Sequence, residues 1–278
     1  MVPRFLSPFP RDLPAWQCLK VLHDSTNAII FLAQNKAGLS VAIKRFKFSV
    51  AKLSKADVER LLLGIKALAL VNTHGLVQVL EVGVSEQAVY LVMEYVKGHT
   101  LKDYLQHKPL PSLNTRLQWF EELTKALQAV HELGLLHLDL KTSNVMIRET
   151  DNSVALLDFG LETHLLVDAG FMREDEIYCT PYYVSPERIM GDVPDERADL
   201  YALGVILYEM LIGQKPYESR SLEELLKKHA IAPIPRLPAQ YAHYQPLLDK
   251  LLAKFPESRI QSAAEVVELL HEQRLQPF

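Results

Sequence analysis

Cysteine is nearly absent from this chain. Cys18 and Cys179 are the only two, far apart and in no metal-ligand spacing. That excludes a disulfide framework and suits a reducing compartment. Charge of one sign is equally scarce: 30 basic against 34 acidic residues leave a net charge of −4. Such a balance gives no electrostatic footprint for nucleic acid or for an anionic membrane surface. Long hydrophobic runs are missing too. The most apolar stretch, Tyr201 to Gly213, is too short to span a bilayer and contains Glu209, so it reads as a buried helix. The first fourteen residues hold four prolines and no apolar segment of signal-peptide type follows them. No internal repeat or low-complexity tract is visible. A cytoplasmic protein with no membrane segment and no nucleic-acid partner is the expectation.

What is present falls into two blocks. From Trp16 to Val96 the pattern is mainly strand-like, with β-rich runs at Ile29–Ala33, Val41–Phe46, Val77–Val84 and Val89–Tyr95 and a turn signal at Asn35-Lys36-Ala37-Gly38. One helical period interrupts them over Asp57 to Leu70. From Gly98 onward helices dominate: Leu113–Leu133, Asp199–Gly213, Ser221–Lys228, Tyr244–Ala253 and Ser262–Arg274, with Ser112 or Asn114 and Ser262 as N-caps. Strands and helices in separate blocks predict an α+β chain with two lobes.

Three short motifs carry chemistry. Val41-Ala42-Ile43-Lys44 ends a strand. His137-Leu138-Asp139-Leu140-Lys141-Thr142-Ser143-Asn144 lies between a helix and a short strand. Asp158-Phe159-Gly160 begins nineteen residues after Asp139. Each alone is commonplace: the first is an ordinary buried strand ending in a solvated lysine, the last an ordinary turn. Together and in this order they resemble the signature set of the protein kinases. The resemblance covers about residues 15 to 273 and has the flavour of bacterial eukaryote-like Ser/Thr kinases. It implies a protein-kinase-like two-lobed fold: a small antiparallel β-sheet lobe with one main helix, plus a larger helical lobe. Residues 1–14 would be a lead-in, 15–96 the N-lobe and 97–278 the C-lobe.

The resemblance also implies roles. A phosphoryl group in flight spreads negative charge over its oxygens, so the site needs cations and held metal ions. Asp158 and Asn144 would supply hard oxygen ligands for Mg²⁺. Lys44 would hold the α- and β-phosphates of ATP. Asp139 would orient the attacking hydroxyl and accept its proton. Lys141 would neutralise the transferring group, and its presence favours a Ser/Thr protein substrate over Tyr. Leu22, Ile30, Ala42 and Met146 would enclose the adenine, with Met93 as gatekeeper and the backbones of Glu94 and Val96 facing the base. Thr180-Pro181 and Ser185-Pro186-Glu187 resemble the P+1 loop and the Ala-Pro-Glu element. Asp199 resembles the aspartate that braces the catalytic loop, and Arg259 the arginine that pairs with Glu187. Leu68, Val79, His137 and Phe159 stand where the hydrophobic spine would be, or are plain core.

Three departures matter. The phosphate loop, Leu22 to Ile30, holds no glycine, with His23, Ser25 and Ala28 in the glycine positions and Asp24 adding negative charge. One or two lost phosphate contacts at roughly 1.5–3 kcal/mol each would weaken ATP affinity about ten- to a thousandfold. Alternatively, Ser25, Thr26 and Asn27 form a polar hairpin tip that donates its own hydrogen bonds. The helix over 57–70 has Gly64 or Ile65 where the family glutamate would pair with Lys44, and Glu59 lies about 140° round the helix. Lys44 then pairs with Asp158, or the helix moves. Leu138 replaces the arginine that usually grips a phosphorylated activation loop, making this a non-RD sequence in which Arg173-Glu174-Asp175-Glu176 is either built-in negative charge or a solvated run. An active Ser/Thr kinase is therefore expected. The alternative is a pseudokinase scaffold that binds a nucleotide or a partner, with a small-molecule phosphotransferase as a third class. The chain stops soon after the last expected helix, as a piece of a longer protein would.

Overall fold

The computed structural model describes residues 13–25, 28–47, 56, 59, 73–84, 88–157 and 181–275. They fall into two compact units. One takes the chain up to Asn72 together with Val77–Val96; the other takes Thr73–Leu76 and everything from Lys97.

The first unit is built on a five-stranded antiparallel sheet of order β1-β2-β3-β5-β4, comprising β1 (Trp16–Asp24), β2 (Ala28–Asn35), β3 (Ser40–Phe46), β4 (Val79–Val84) and β5 (Val89–Glu94). The turn between β2 and β3 forms where Asn35 and Gly38 predict it. Asn35 Oδ1 accepts the N–H groups of Ala37 and Leu39 at 3.0 and 2.9 Å, and Gly38 takes φ +87°. Residues at alternate positions share a face. Ile29, Phe31, Ala33, Val41, Ile43, Tyr90 and Val92 form one core face, closed by Leu13 and packed by Trp16 and Cys18.

Strand β1 has no boundaries in the sequence reading, for a physical reason. Register shifts between Cys18 and Lys20 and between Val21 and His23 break its two-residue period, and Leu19 and Val21 are exposed. β4 starts at Val79 rather than Val77, because Leu76 pairs with Leu156 in the second unit and Gly75 O accepts Leu156 N–H at 2.7 Å. Of the helix expected over 57–70, only Glu59 is described, helical and exposed; the rest, Gly64 and Ile65 included, lies outside the described residues.

The second unit holds a three-stranded sheet of β6 (Gly98–Thr100), β7 (Val145–Arg148) and β8 (Val154–Leu156). Its α-helices among the described residues are α1 (Leu101–Gln106), α2 (Leu113–His131), α3 (Pro186–Met190), α4 (Glu196–Ile212), α5 (Leu222–Ile231), α6 (Gln245–Leu251) and α7 (Ala263–Leu275). Ser112, not Asn114, caps α2 by accepting Thr115 N–H at 3.1 Å, and Ser262 caps α7 through Glu265 N–H at 3.2 Å. Six-residue α1 is too short to show a period. It exists because Thr100 and Asp103 form a reciprocal capping box.

Helix α4 is buried all round, as its apolar sequence requires. It begins three residues before the expected Asp199, because the Asp195 carboxylate accepts Arg197 N–H at 2.9 Å. A Cβ on Gly204 would lie 2.7 Å from Leu251 Cβ, so glycine permits the close approach of α4 and α6. At the other end Arg116, buried, donates to the carbonyls of Met210 and Leu211 and so satisfies the last turn. Among the described residues no helix is long and apolar enough to cross a membrane.

Candidate active site

The second unit carries a compact polar constellation. A single 3₁₀ turn over Thr142–Asn144 returns the chain, so that Asn144 meets a residue five positions earlier. Asn144 Nδ2 donates to the Asp139 carbonyl at 2.9 Å and to its carboxylate Oδ2 at 3.1 Å. Lys141 Nζ reaches the same oxygen at 2.6 Å. Asp139 and Lys141 are half-buried and Asn144 is buried. An ammonium and an amide donor meeting on one oxygen hold the Asp139 carboxylate in a fixed orientation. Because Nδ2 faces Asp139, the Asn144 Oδ1 atom points away from it.

The loop is braced from beneath. Asp199, at 1% exposure, accepts the N–H groups of His137 and Leu138, each at 2.7 Å, and His131 Nε2 at 2.9 Å. Burial alone would raise this carboxyl. The His131 hydrogen bond, the nearby imidazoles and the His137 N–H outweigh it and hold the group below the ordinary aspartate value. His137 is fully buried, with Nε2 3.0 Å from Leu157 O and Nδ1 3.3 Å from Asp139 N–H. A carbonyl partner on one side and an N–H partner on the other select the Nε2–H tautomer.

A network that sequence reasoning missed lies alongside. Thr142 Oγ1 is 2.9 Å from Tyr183 Oη, which donates to Glu209 at 2.6 Å, and Lys215 Nζ joins Tyr183 at 3.0 Å and Glu209 at 2.9 Å. Burial, and then the Glu209 charge, push the Tyr183 phenol above its ordinary range. Nothing in the sequence marks this group, because its members come from four separate segments. Glu187 and Arg259 do meet. The guanidinium is bidentate at 2.9 and 3.0 Å, with side-chain exposures of 0% and 7% for Arg259 and Glu187. Burial raises the Glu187 carboxyl, but the Arg259 bonds and charge prevail and set it below the ordinary value.

In the first unit the sheet register gathers several expected residues on the face opposite the core. Ile30 pairs with Lys44 and Lys44 with Leu91, while Ala42 pairs with Met93. Lys44 is buried at 5% exposure, its Nζ 5.4 Å from the Phe46 ring centroid. Leu22 sits at the β1 irregularity and is exposed; Val96 is buried. Glu94 N–H is committed to Gln78 O at 3.0 Å. In the second unit Met146 lies on β7 opposite Thr100 and Ala155. Val79 is buried, as either a spine or a plain core residue would be. Asp158, Phe159, Thr180, Leu68 and the run 173–176 lie outside the described residues.

The glycine-free hairpin closes on itself at its described ends. Ser25 N–H and Oγ both donate to Ala28 O, at 2.9 and 3.0 Å, and Ala28 N–H donates back to Ser25 Oγ at 3.2 Å. Lys47 Nζ lies 2.6 Å from Asp24 Oδ1 and 2.5 Å from Ser25 O, so the Asp24 charge is matched locally.

A family model described as protein kinase domain matches residues 25–272. The chain belongs to the protein kinase domain family. This kinase domain is 32% identical over 259 residues to human "Serine/threonine-protein kinase ULK3", covering 90% of the chain and 53% of that protein. It is 29% identical over 263 residues to "Probable serine/threonine-protein kinase CPE1738" of Clostridium perfringens, covering 91% and 37%. With "Serine/threonine-protein kinase PknB" of Mycobacterium tuberculosis it shares 34% identity over 208 residues, 71% of the chain and 33% of that protein. The kinase domain thus spans about half or less of the length of these curated relatives. The two-lobed α+β fold and the resemblance to Ser/Thr kinases, bacterial ones among them, are borne out.

Proposed function

We propose that this kinase domain transfers the γ-phosphate of ATP to a Ser or Thr hydroxyl of a protein, with residues 15–96 carrying the nucleotide side and 97–278 the catalytic loop. One observation carries the reading: the Asp139 carboxylate is fixed between Lys141 Nζ at 2.6 Å and Asn144 Nδ2 at 3.1 Å. Asp139 accepts the hydroxyl proton as the oxygen attacks, and Lys141 offers its ammonium to the charge on the transferring group. Lys44, on the sheet face with Ile30, Ala42 and Met93, meets the phosphates; Leu22, Glu94, Val96 and Met146 complete the nucleotide contacts. Asn144 fits a magnesium ligand, because its Oδ1 is a hard oxygen turned away from Asp139, and Asp158 is the second ligand of the set. Mg²⁺, when bound, neutralises phosphate charge.

Transfer of labelled γ-phosphate from Mg-ATP to the chain and to a generic Ser/Thr substrate tests the reading. Asp139→Ala is expected to lower it about 10²- to 10⁴-fold. Label equal in both proteins at millimolar ATP would leave the pseudokinase reading, which the glycine-free phosphate loop favours.

The hairpin adds an expectation about affinity. Lys47 matches the Asp24 charge next to the phosphate loop. Exposed ion pairs contribute at most about 1 kcal/mol, so Lys47→Ala is expected to raise the Kd for Mg-ATP roughly two- to fivefold. Adding Asp24→Asn should reverse most of that loss in a calorimetric titration.

A further inference from the structure

We infer that Arg188 is a positioning residue for the catalytic loop: its guanidinium holds the Leu138 carbonyl and so keeps Leu138 in the backbone conformation that aims Asp139. The role presupposes phosphoryl transfer only for its effect on rate; the hold on the loop does not depend on it.

Leu138 has φ +56°, in the left-handed region that a bulky L-residue seldom occupies. Asp139 N–H donates to His137 O at 2.8 Å across it. A hydrogen bond spanning two residues around a positive φ is the rarer and more strained kind of γ-turn. Such a turn persists only where its surroundings over-determine it. Both polar groups of the Leu138 backbone are in fact held by charged side chains. Its N–H donates to Asp199 Oδ1 at 2.7 Å, and its carbonyl accepts Arg188 Nη1 at 2.5 Å.

Arg188 comes from the short helix α3, fifty residues further on, and is half-buried. Among the described residues its guanidinium is in no ion pair, and its charge is turned on a neutral carbonyl, which strengthens that bond. The same side chain lines a small cavity with Leu138, Asp139 and Asp199. Leucine at position 138 supplies no cation of its own, and Arg188 brings one to its carbonyl from α3. The strained residue immediately precedes Asp139, and a shift of its plane would re-aim the carboxylate directly.

Arg188→Met, Arg188→Lys and Leu138→Gly, singly and with Met combined with Gly, test the role in the whole chain. The readouts are steady-state kinetics and hydrogen exchange of the amides of residues 137–140. Arg188→Met is expected to lower kcat about ten- to a hundredfold with KM for ATP unchanged within about twofold, while Arg188→Lys keeps most of the rate. Glycine adopts positive φ without help. The Met loss should therefore shrink to about threefold or less in the Leu138→Gly background, a coupling that plain packing would not produce. Exchange of the loop amides should quicken about tenfold in Arg188→Met. Equal losses in both backgrounds, or loop exchange unchanged by Arg188→Met, would overturn the role. A wild-type chain that transfers no phosphate would defeat the proposed function, and loop exchange alone would then decide this one. Should Arg188→Met not fold, Arg188→Gln, whose shorter amide does not span the gap, serves in the same comparison.

Discussion

Arg259→Met is expected to destabilise the domain by about 3–5 kcal/mol, because it strands a buried carboxylate without its partner. The melting midpoint should fall on the order of 6–15 °C. Every donor of the guanidinium is engaged. Two bonds go to Glu187, and others go to the carbonyls of Arg197 at 2.6 Å, Ala253 at 3.1 Å and Lys254 at 3.3 Å. The pair therefore ties α3 to the start of α4 and to the turn after α6. Replacing both members with apolar residues should recover much of the loss, since it is the uncompensated charge that costs most. Thermal melts of the single and double variants check this, and a double variant no better than the single would contradict it.

The pH dependence should change sign with the same substitution. In the native protein Glu187 and Asp199 sit below their ordinary values of 4.5 and 3.8. Their stabilisation is whole above those values and is lost as pH falls through the lowered ones. Once Arg259 is gone, burial remains as the dominant influence on Glu187 and raises it. A raised carboxyl contributes stability below its unfolded value and loses it as pH rises. Arg259→Met should therefore gain stability relative to the native protein on mild acidification from neutral pH. Melting midpoints across that range in both proteins read the difference directly.

Asp199→Ala is expected to lower kcat at least about a hundredfold and stability by roughly 3–5 kcal/mol. Three donors lose their acceptor at once: His131 Nε2 and the buried N–H groups of His137 and Leu138. Each unsatisfied buried donor costs about 1–3 kcal/mol. The kinetic effect arises because Asp139 follows Leu138 in the chain, so its carboxylate moves with the unbraced peptide. Assay well below the variant's melting temperature separates misaimed catalysis from unfolding. A kcat near the native value in folded Asp199→Ala would show that Lys141 and Asn144 suffice to hold Asp139.

How much could be read beforehand follows the range of the interactions. Asp139, Lys141 and Asn144 lie within six residues and one tight turn brings them together; it was the kinase resemblance of the three motifs in order that singled them out. Strand β2 was legible because its burial largely alternates and β5 because it is a short continuous apolar run, while Ser112, one of two candidate caps, and Ser262 announced their helices by local capping chemistry. Strand β1 was not delimited, since its irregular register erases the period, and α1 was missed because six residues carry no period at all. Of the polar hairpin tip that was one of two readings open in the sequence, only Ser25 lies among the described residues, bonded to Ala28; the Lys47 match to Asp24 was in neither reading.

The sequence by itself determined the family, the two-block architecture and the residue types of the catalytic loop, because these reside in short motifs and local periodicity. Asp199 was expected as a brace from the kinase resemblance, but only the tertiary structure decided what else supports that loop. Arg188 and the Thr142–Tyr183–Glu209–Lys215 network are brought to it from distant segments by burial of α4 and packing of α3. Their contribution depends on desolvation and on hydrogen-bond geometry, and neither exists until the core has closed.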